Sequence, residues 1–393
     1  MSAARRRDRR VYLSAHPVLF ALLAAARRRP AVRLGGTVLV HGSEAYRQVL
    51  TRVPLDRSAA GTTGGAGRQL SGGGVLFDQD GGGHRDSRRA VSDGLGAAGV
   101  ERLRPVWRDV LGRRLAPLAA GRTVDLVPMA RELAGATVCA LLGTDADPSA
   151  VAGAAADAAA AAVRDHLPGP RRPGTARAAA QAAARLTSLL GPAVDGRDGN
   201  CGEGGDGGGE SGAGLRAMLA VAAVSTTVAA LPRAAAWCAD AGWWDPAADD
   251  RLRPALVSEL LRVTAPSPLL PRVAAAGAGA GGCPVRAGDR LLLVARHAAL
   301  AHSRGPDPYR PAPPAVAQLV FGAGPHACPG ARLARAQLDD TLAALAPYRP
   351  SVVRARADRA AALPGWRSLT VRAGTGRADT DRAGTVRAPL EDR

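Results

Sequence analysis

Apolar positions in this chain recur mostly at helical spacing, and the exceptions mark its turns. The first stretch, "RRVYLSAHPVLFALLAAARRR", predicts one amphipathic, basic helix within residues 1–29. Its paired arginines resemble a twin-arginine signal. However, the apolar part, Val18 to Ala26, is short and ends in three arginines rather than a cleavage site. "AVRLGGTVLVHG" (31–42) predicts a hairpin turning at Gly35-Gly36, and "SEAYRQVL" (43–50) a helix with Ser43 as N-cap. Residues 55–83 are Gly-rich and aperiodic, the mark of a long loop. Helical period then dominates over 84–98, 100–119, 128–142, 148–165, 174–192 and 215–240, with further helices at 247–263 and 329–346. Pro232 is expected to kink or end the helix that contains it. "DRLLLVA" (289–295) and "SLTVRA" (368–373) read as strands. The pattern predicts a large, mainly α domain with small β-sheets, without a solenoid repeat.

Composition narrows the possibilities. The chain has 393 residues, 47% hydrophobic but only 3% aromatic, so Ala, Leu and Val must fill its core. Net charge is +18 and every basic residue is Arg. The arginines are scattered and lack the aromatic interleaving of a single-strand binder, so no nucleic-acid partner is expected, and an acidic protein partner is. No run approaches the roughly 18 apolar residues of a membrane span, and no membrane partner is expected. Five cysteines, none close to another in sequence, suit a reducing cytoplasm and suggest neither a disulfide framework nor a zinc ribbon. "GNCGEGGDGGGESGAG" (199–214) has the composition of a flexible insertion, and residues 374–393 that of a disordered tail.

Two glycine-rich stretches invite chemistry. "GAGAGG" (277–282) satisfies Gly-x-Gly-x-x-Gly, but a turn and a strand follow it rather than a helix, so it reads as a loop. A Walker A loop is excluded because the chain has no Lys. "FGAGPHACPGARLARAQLDDTLAAL" (321–345) is different. Cys328 stands among Gly322, Gly324 and Gly330, with Pro329 opening an amphipathic helix. That places a thiol at the positive end of a helix, where a thiolate is stabilised.

Phe321, Gly322, His326, Cys328 and Gly330, followed by "ARLAR", resemble the haem-ligand loop of the cytochrome P-450 family in its soluble, actinobacterial-like form. The resemblance covers residues 30 to 373, which it makes one haem domain of the mainly α (α+β) cytochrome P-450 fold around a buried haem b. It implies that Cys328 is the axial iron ligand, favouring O–O cleavage. It further implies that His84, Arg88, Arg272 and His326 hold the haem propionates. Glu259 and Arg262, at i and i+3, resemble the family's structural pair, with Arg310 as the third partner. Arg296, His297 and Ala298 stand where the family has Asn-Arg-Asp.

In the same resemblance "VAAVSTTVAAL" (221–231) is the oxygen-facing helix. Thr226 takes the place of the family's water-ordering threonine, Ser225 that of an acid, and Ala223 that of a glycine. On the residues alone, these hydroxyls would bond back to carbonyls one turn earlier. About 100° separates neighbours on a helix, so all three cannot share one face. The function implied is a cytoplasmic, monomeric haem-thiolate monooxygenase of secondary metabolism acting on a small organic substrate. Its electrons come from NAD(P)H through a reductase and an acidic ferredoxin. Ser225 keeps open a peroxide-driven, coupling or rearranging chemistry, and a non-catalytic haem-binding relative is the third reading.

Overall fold

The structure is a computed structural model that describes residues 2–71, 76, 78–79, 81–166, 173–191 and 208–374. The tail from 375 onward and most of the Gly-rich 199–214 segment lie outside the described residues.

The N-terminal stretch forms two helices rather than one, α1 (Ala3–Ala15) and α2 (Pro17–Ala26). Pro17 cannot donate to the preceding turn, so the first helix stops and a second starts at its ring. The hairpin is present as β1 (Ala31–Leu34) and β2 (Thr37–Val40), with Gly35 at φ +58° in its turn. Next comes α3 (Ser43–Arg52), capped at Gly42 rather than Ser43, whose hydroxyl donates to Ala298 O at 2.6 Å. The expected long loop carries β3 (Leu55–Asp56) and α4 (Thr63–Ser71).

Five helices separated by short connections follow the predicted periodicity. They are α5 (Gly81–Leu95), α6 (Ala97–Ala119), α7 (Leu126–Leu142, after β4, Thr123–Asp125), α8 (Pro148–His166) and α9 (Thr175–Leu190). The next helix, α10 (Gly208–Ala241), is the longest and extends into the segment read as flexible. By length and composition it could cross a membrane, contrary to the expectation that no run could, yet it packs against α1, α4, α7, α8, α9, α12 and α15 as a core helix. It also passes through Pro232 without ending. Beyond the proline, Ala234, Ala235, Trp237 and Cys238 are buried, and this packing offsets the lost hydrogen bond.

The short α11 (Trp244–Ala248) precedes α12 (Arg253–Thr264), which starts six residues later than predicted. Then come β5 (Leu269–Ala274), β6 (Ala278–Ala280), β7 (Cys283–Val285) and β8 (Arg290–Val294). The "GAGAGG" loop is therefore half of a β6–β7 hairpin turning at Gly281-Gly282. Two one-turn helices, α13 (Ala295–Ala298) and α14 (Pro314–Ala317), lead to α15 (Ala331–Leu345), and β9 (Ser351–Ala357) and β10 (Trp366–Arg372) are the last described elements. One five-stranded sheet runs β1-β2-β8-β5-β3, and a three-stranded one runs β4-β10-β9.

A buried ion cluster fastens α1 into this body. Asp8 lies between Arg233 (2.6 Å) and Arg296 (3.0 Å), with side-chain exposures of 2%, 1% and 12%. Arg233 also donates to the Tyr12 hydroxyl, which donates to Thr264 O. Beside it, His41, His297 and His302 form a second cluster, with His41 Nδ1 and His297 Nδ1 2.9 Å apart. Burial lowers these imidazoles to about 4, 3 and 4 respectively, helped at His297 and His302 by nearby Arg27 and Arg296.

Asp8→Ala is expected to lower stability by about 3–5 kcal/mol in urea denaturation, because it strands buried guanidinium groups. The histidines have folded pKa values below the ordinary 6.5, so their stabilising contribution is present above that value and disappears as pH falls toward 4. Thermal midpoints should fall across this window, and the fall should be shallower in a His297→Gln variant.

Candidate functional site

Phe321 ends one 3-10 turn (Gln318–Phe321), and a second (Gly324–His326) precedes Cys328. The loop is closed by Cys328 N–H donating to Phe321 O at 2.7 Å. Gly322 and Gly324 sit at φ +80° and +71°, where a side chain is strained. A Cβ on Gly324 would also stand 3.2 Å from Thr51 Cγ2 and 3.3 Å from Leu50 O, so this glycine lets α3 approach the loop. Gly330 is different. Its φ is ordinary, and a Cβ would meet only Cys328 Sγ, at 3.8 Å. The space over that glycine is open within the protein.

Cys328 presents its sulfur to a cleft of about 730 Å³ lined by Arg88, Leu95, Val257, Arg332 and Arg335. Desolvation raises its thiol above the ordinary value, while the Gly330 N–H, Arg88 and Arg335 pull the other way. Arg335, four residues into α15, stacks over the Phe321 ring at 4.6 Å and donates to Gln318 Oε1. His84 and His326 meet ring to ring, with centroids 3.9 Å apart, and His84 is buried. His84 and Arg88 from α5 thus join His326 and Cys328 in one cluster.

Arg272 lies elsewhere, on β5. Its Nη1 donates to Thr63 Oγ1 at 3.2 Å, and its Nε is buried without a hydrogen-bond partner. Burial, then the positive charge of Arg57, lowers its pKa to about 10. No carboxylate pairs with it among the described residues.

The three hydroxyls of α10 take three different environments, as helical geometry requires. Thr226 Oγ1 donates to Ala222 O at 2.7 Å, the bond one turn back that the residues alone suggest. Thr227 donates to Gln337 Oε1 at 3.4 Å, and Gln337 Nε2 donates to Thr137 Oγ1 at 3.0 Å, joining α10, α15 and α7. Ser225 Oγ is buried with no partner. Neither Ser225 nor Thr226 lines the cleft that reaches Cys328.

Glu259 and Arg262 form a two-pronged pair at 2.8 and 2.7 Å, both fully buried. Arg310 does not join them. Its side chain is 88% exposed and pairs with Asp307. Backbone takes its place: Arg262 donates to Ala299 O, Arg304 O and Gly305 O, while Glu259 accepts from Asp307 N and Ala312 N. Arg296, at the departure from Asn-Arg-Asp, donates to Asp8 and Val263 O. Sequence reasoning missed Arg57, Arg335 and Gln337. Gln337 had left a signal, as a polar residue on the apolar stripe that runs through Leu333, Leu338 and Leu342.

No protein-family model matches the chain, and no curated protein matches it by sequence. Solved structures do match. A mutant of cytochrome P-450 EryK from S. erythraea in complex with erythromycin B is 25% identical, over 93% of this chain and 99% of that one, at a TM-score of 0.72. Mycobacterium marinum cytochrome P-450 CYP268A2 in complex with pseudoionone is 23% identical, over 93% and 97%, at 0.72. Cytochrome P-450 BioI, bound to an acyl carrier protein ligated with hexadec-9Z-enoic acid, is 18% identical, over 92% and 99%, at 0.73.

Gly324→Ala is expected to lower the thermal midpoint of the protein, at a cost of about 1–3 kcal/mol, because both its φ and its contact with α3 must change.

Proposed function

From the bacterial cytochrome P-450 fold of this chain we propose that it is a haem-thiolate monooxygenase. It would place one atom of O₂ in a small organic substrate and release the other as water. The observation that carries this reading is Cys328. It sits in a loop closed by its own N–H, beside an open glycine, with Arg88, His84 and His326 gathered around it. The residues fit the group. Cys328 would supply the axial sulfur, and Phe321, Gly322 and Gly330 the surface against which a flat ring lies. Arg88, Arg272, His84 and His326 would receive its carboxylates. The unpartnered Arg272 Nε supports this assignment, since an internal salt bridge would have left it satisfied. Bound haem supplies reducible iron for O₂ chemistry.

The protein's own contribution on α10 is more specific. Thr226 spends its proton on Ala222 O, leaving its oxygen free to accept a hydrogen bond. Ser225, buried and unpartnered, can hold one water. Neither can release a proton near neutral pH, and neither lines the cleft at Cys328, so any proton they help deliver would travel through water. This favours a second reading, in which peroxide rather than O₂ and a reductant is the oxidant. In the first reading, electrons from NAD(P)H arrive through an acidic ferredoxin in the cytoplasm, drawn by the +18 charge.

The reduced, carbon monoxide-bound absorption spectrum tests the central claim. A strongly red-shifted main band is expected, and it should be absent in Cys328→Ala. Retention of that band in the variant would overturn the assignment. Arg272→Met is expected to leave the haem-free chain as stable as before or more so, while weakening haem retention about 10-fold or more. Ser225→Asp should raise product formed per O₂ consumed if water-mediated delivery limits the natural enzyme, and should leave peroxide-driven turnover unchanged.

A further inference from the structure

The outer face of α2 is apolar throughout. Its inner face seats Leu19, Phe20, Leu23 and Ala26 against Leu39, Leu269, Leu292 and Val294 of the five-stranded sheet. The opposite face, at i, i+4 and i+8 spacing, is formed by Pro17, Val18, Ala21, Leu22 and Ala25, all exposed. Val18 is 71% and Leu22 62% exposed. Leu34, 58% exposed, projects to the same side of the sheet. It pairs with Thr37, two positions from Leu39, which faces α2. Solvent is a poor environment for such a face, and nothing among the described residues covers it.

Charge identifies its partner. From Arg9 to Ser43 the chain carries six arginines and no Asp or Glu, and Arg27, Arg28 and Arg29 follow α2 directly, all exposed. We propose that this face attaches the protein peripherally to an anionic phospholipid surface, with Val18, Leu22 and Leu34 entering the headgroup boundary and Arg27–Arg29 meeting lipid phosphates. A ten-residue helix is far short of the roughly 20 residues of a span, so the attachment is shallow and reversible. A second copy is disfavoured because it would bring the same arginines, and the +18 charge, against themselves. An acidic protein is disfavoured because the face is small and without an aromatic or Arg anchor at its centre. A bilayer requires no matching pocket.

The test is co-sedimentation of the full-length, haem-loaded protein with vesicles of phosphatidylcholine and phosphatidylglycerol (about 70:30) in about 0.3 M NaCl, where diffuse charge attraction is largely screened. Wild type should pellet with these vesicles and not with pure phosphatidylcholine. The double variant Val18→Ser/Leu22→Ser should bind about 10-fold more weakly, with unchanged circular dichroism and an unchanged haem spectrum. Equal binding of variant and wild type would overturn the proposal by showing that net charge alone is responsible. So would absence of wild-type binding, or a wild-type dimer in analytical ultracentrifugation that the double variant abolishes.

Discussion

The Glu259–Arg262 pair is the constraint on which the cysteine site depends. Both side chains are fully buried, and every bond they make beyond their own pairing goes to the backbone of residues 299–312. That stretch has little regular structure, so its carbonyls and N–H groups would otherwise lie buried without partners. A buried ion pair is a weak source of net stability, because desolvation cancels much of the attraction. What it supplies here is position. The segment leads directly into α14, the 3-10 turns and Cys328, and α12 is thereby fixed against the loop that presents the thiol. Losing either partner would strand a charge and release the path of the loop together.

Around that fixed loop, the polar groups divide into those the fold uses and those it leaves unused. Gln337 uses both ends of its amide to tie α15 to α10 through Thr227 and to α7 through Thr137, which links the helix behind the cysteine to the hydroxyl-bearing helix. Thr226 is partly used. Ser225 Oγ and Arg272 Nε are not used at all, although both are buried. Unsatisfied buried groups cost free energy, and the fold carries that cost at both positions.

Much of this was legible in the sequence, because local rules decided it. The Gly35-Gly36 turn, the helical periodicity of α5 to α9 and the spacing around Cys328 all depend on residues within a few positions of one another. The failures share a cause, which is a partner distant in the chain. Ser43 fits the N-cap pattern, but its hydroxyl finds Ala298 O, 255 residues away. Arg310 was the candidate third partner, yet the backbone N–H groups of Asp307 and Ala312 already fill that place at Glu259, and no side-chain pattern reports a backbone donor. Pro232 obeys its local rule only in isolation, and the packing of the residues beyond it outweighs the break. The splitting of the first helix at Pro17 is the exception, since that signal was local and sufficient.

The anchoring of α1 has a consequence for the order in which this protein can form. Asp8 meets Arg233 225 residues later and Arg296 288 residues later. The ribosome therefore releases the acid long before it makes either base. During that interval Asp8 lacks the two partners that hold it in the finished fold. Contacts of such sequence separation form slowly and late. α1 is thus seated only after α10 and α13 are in place.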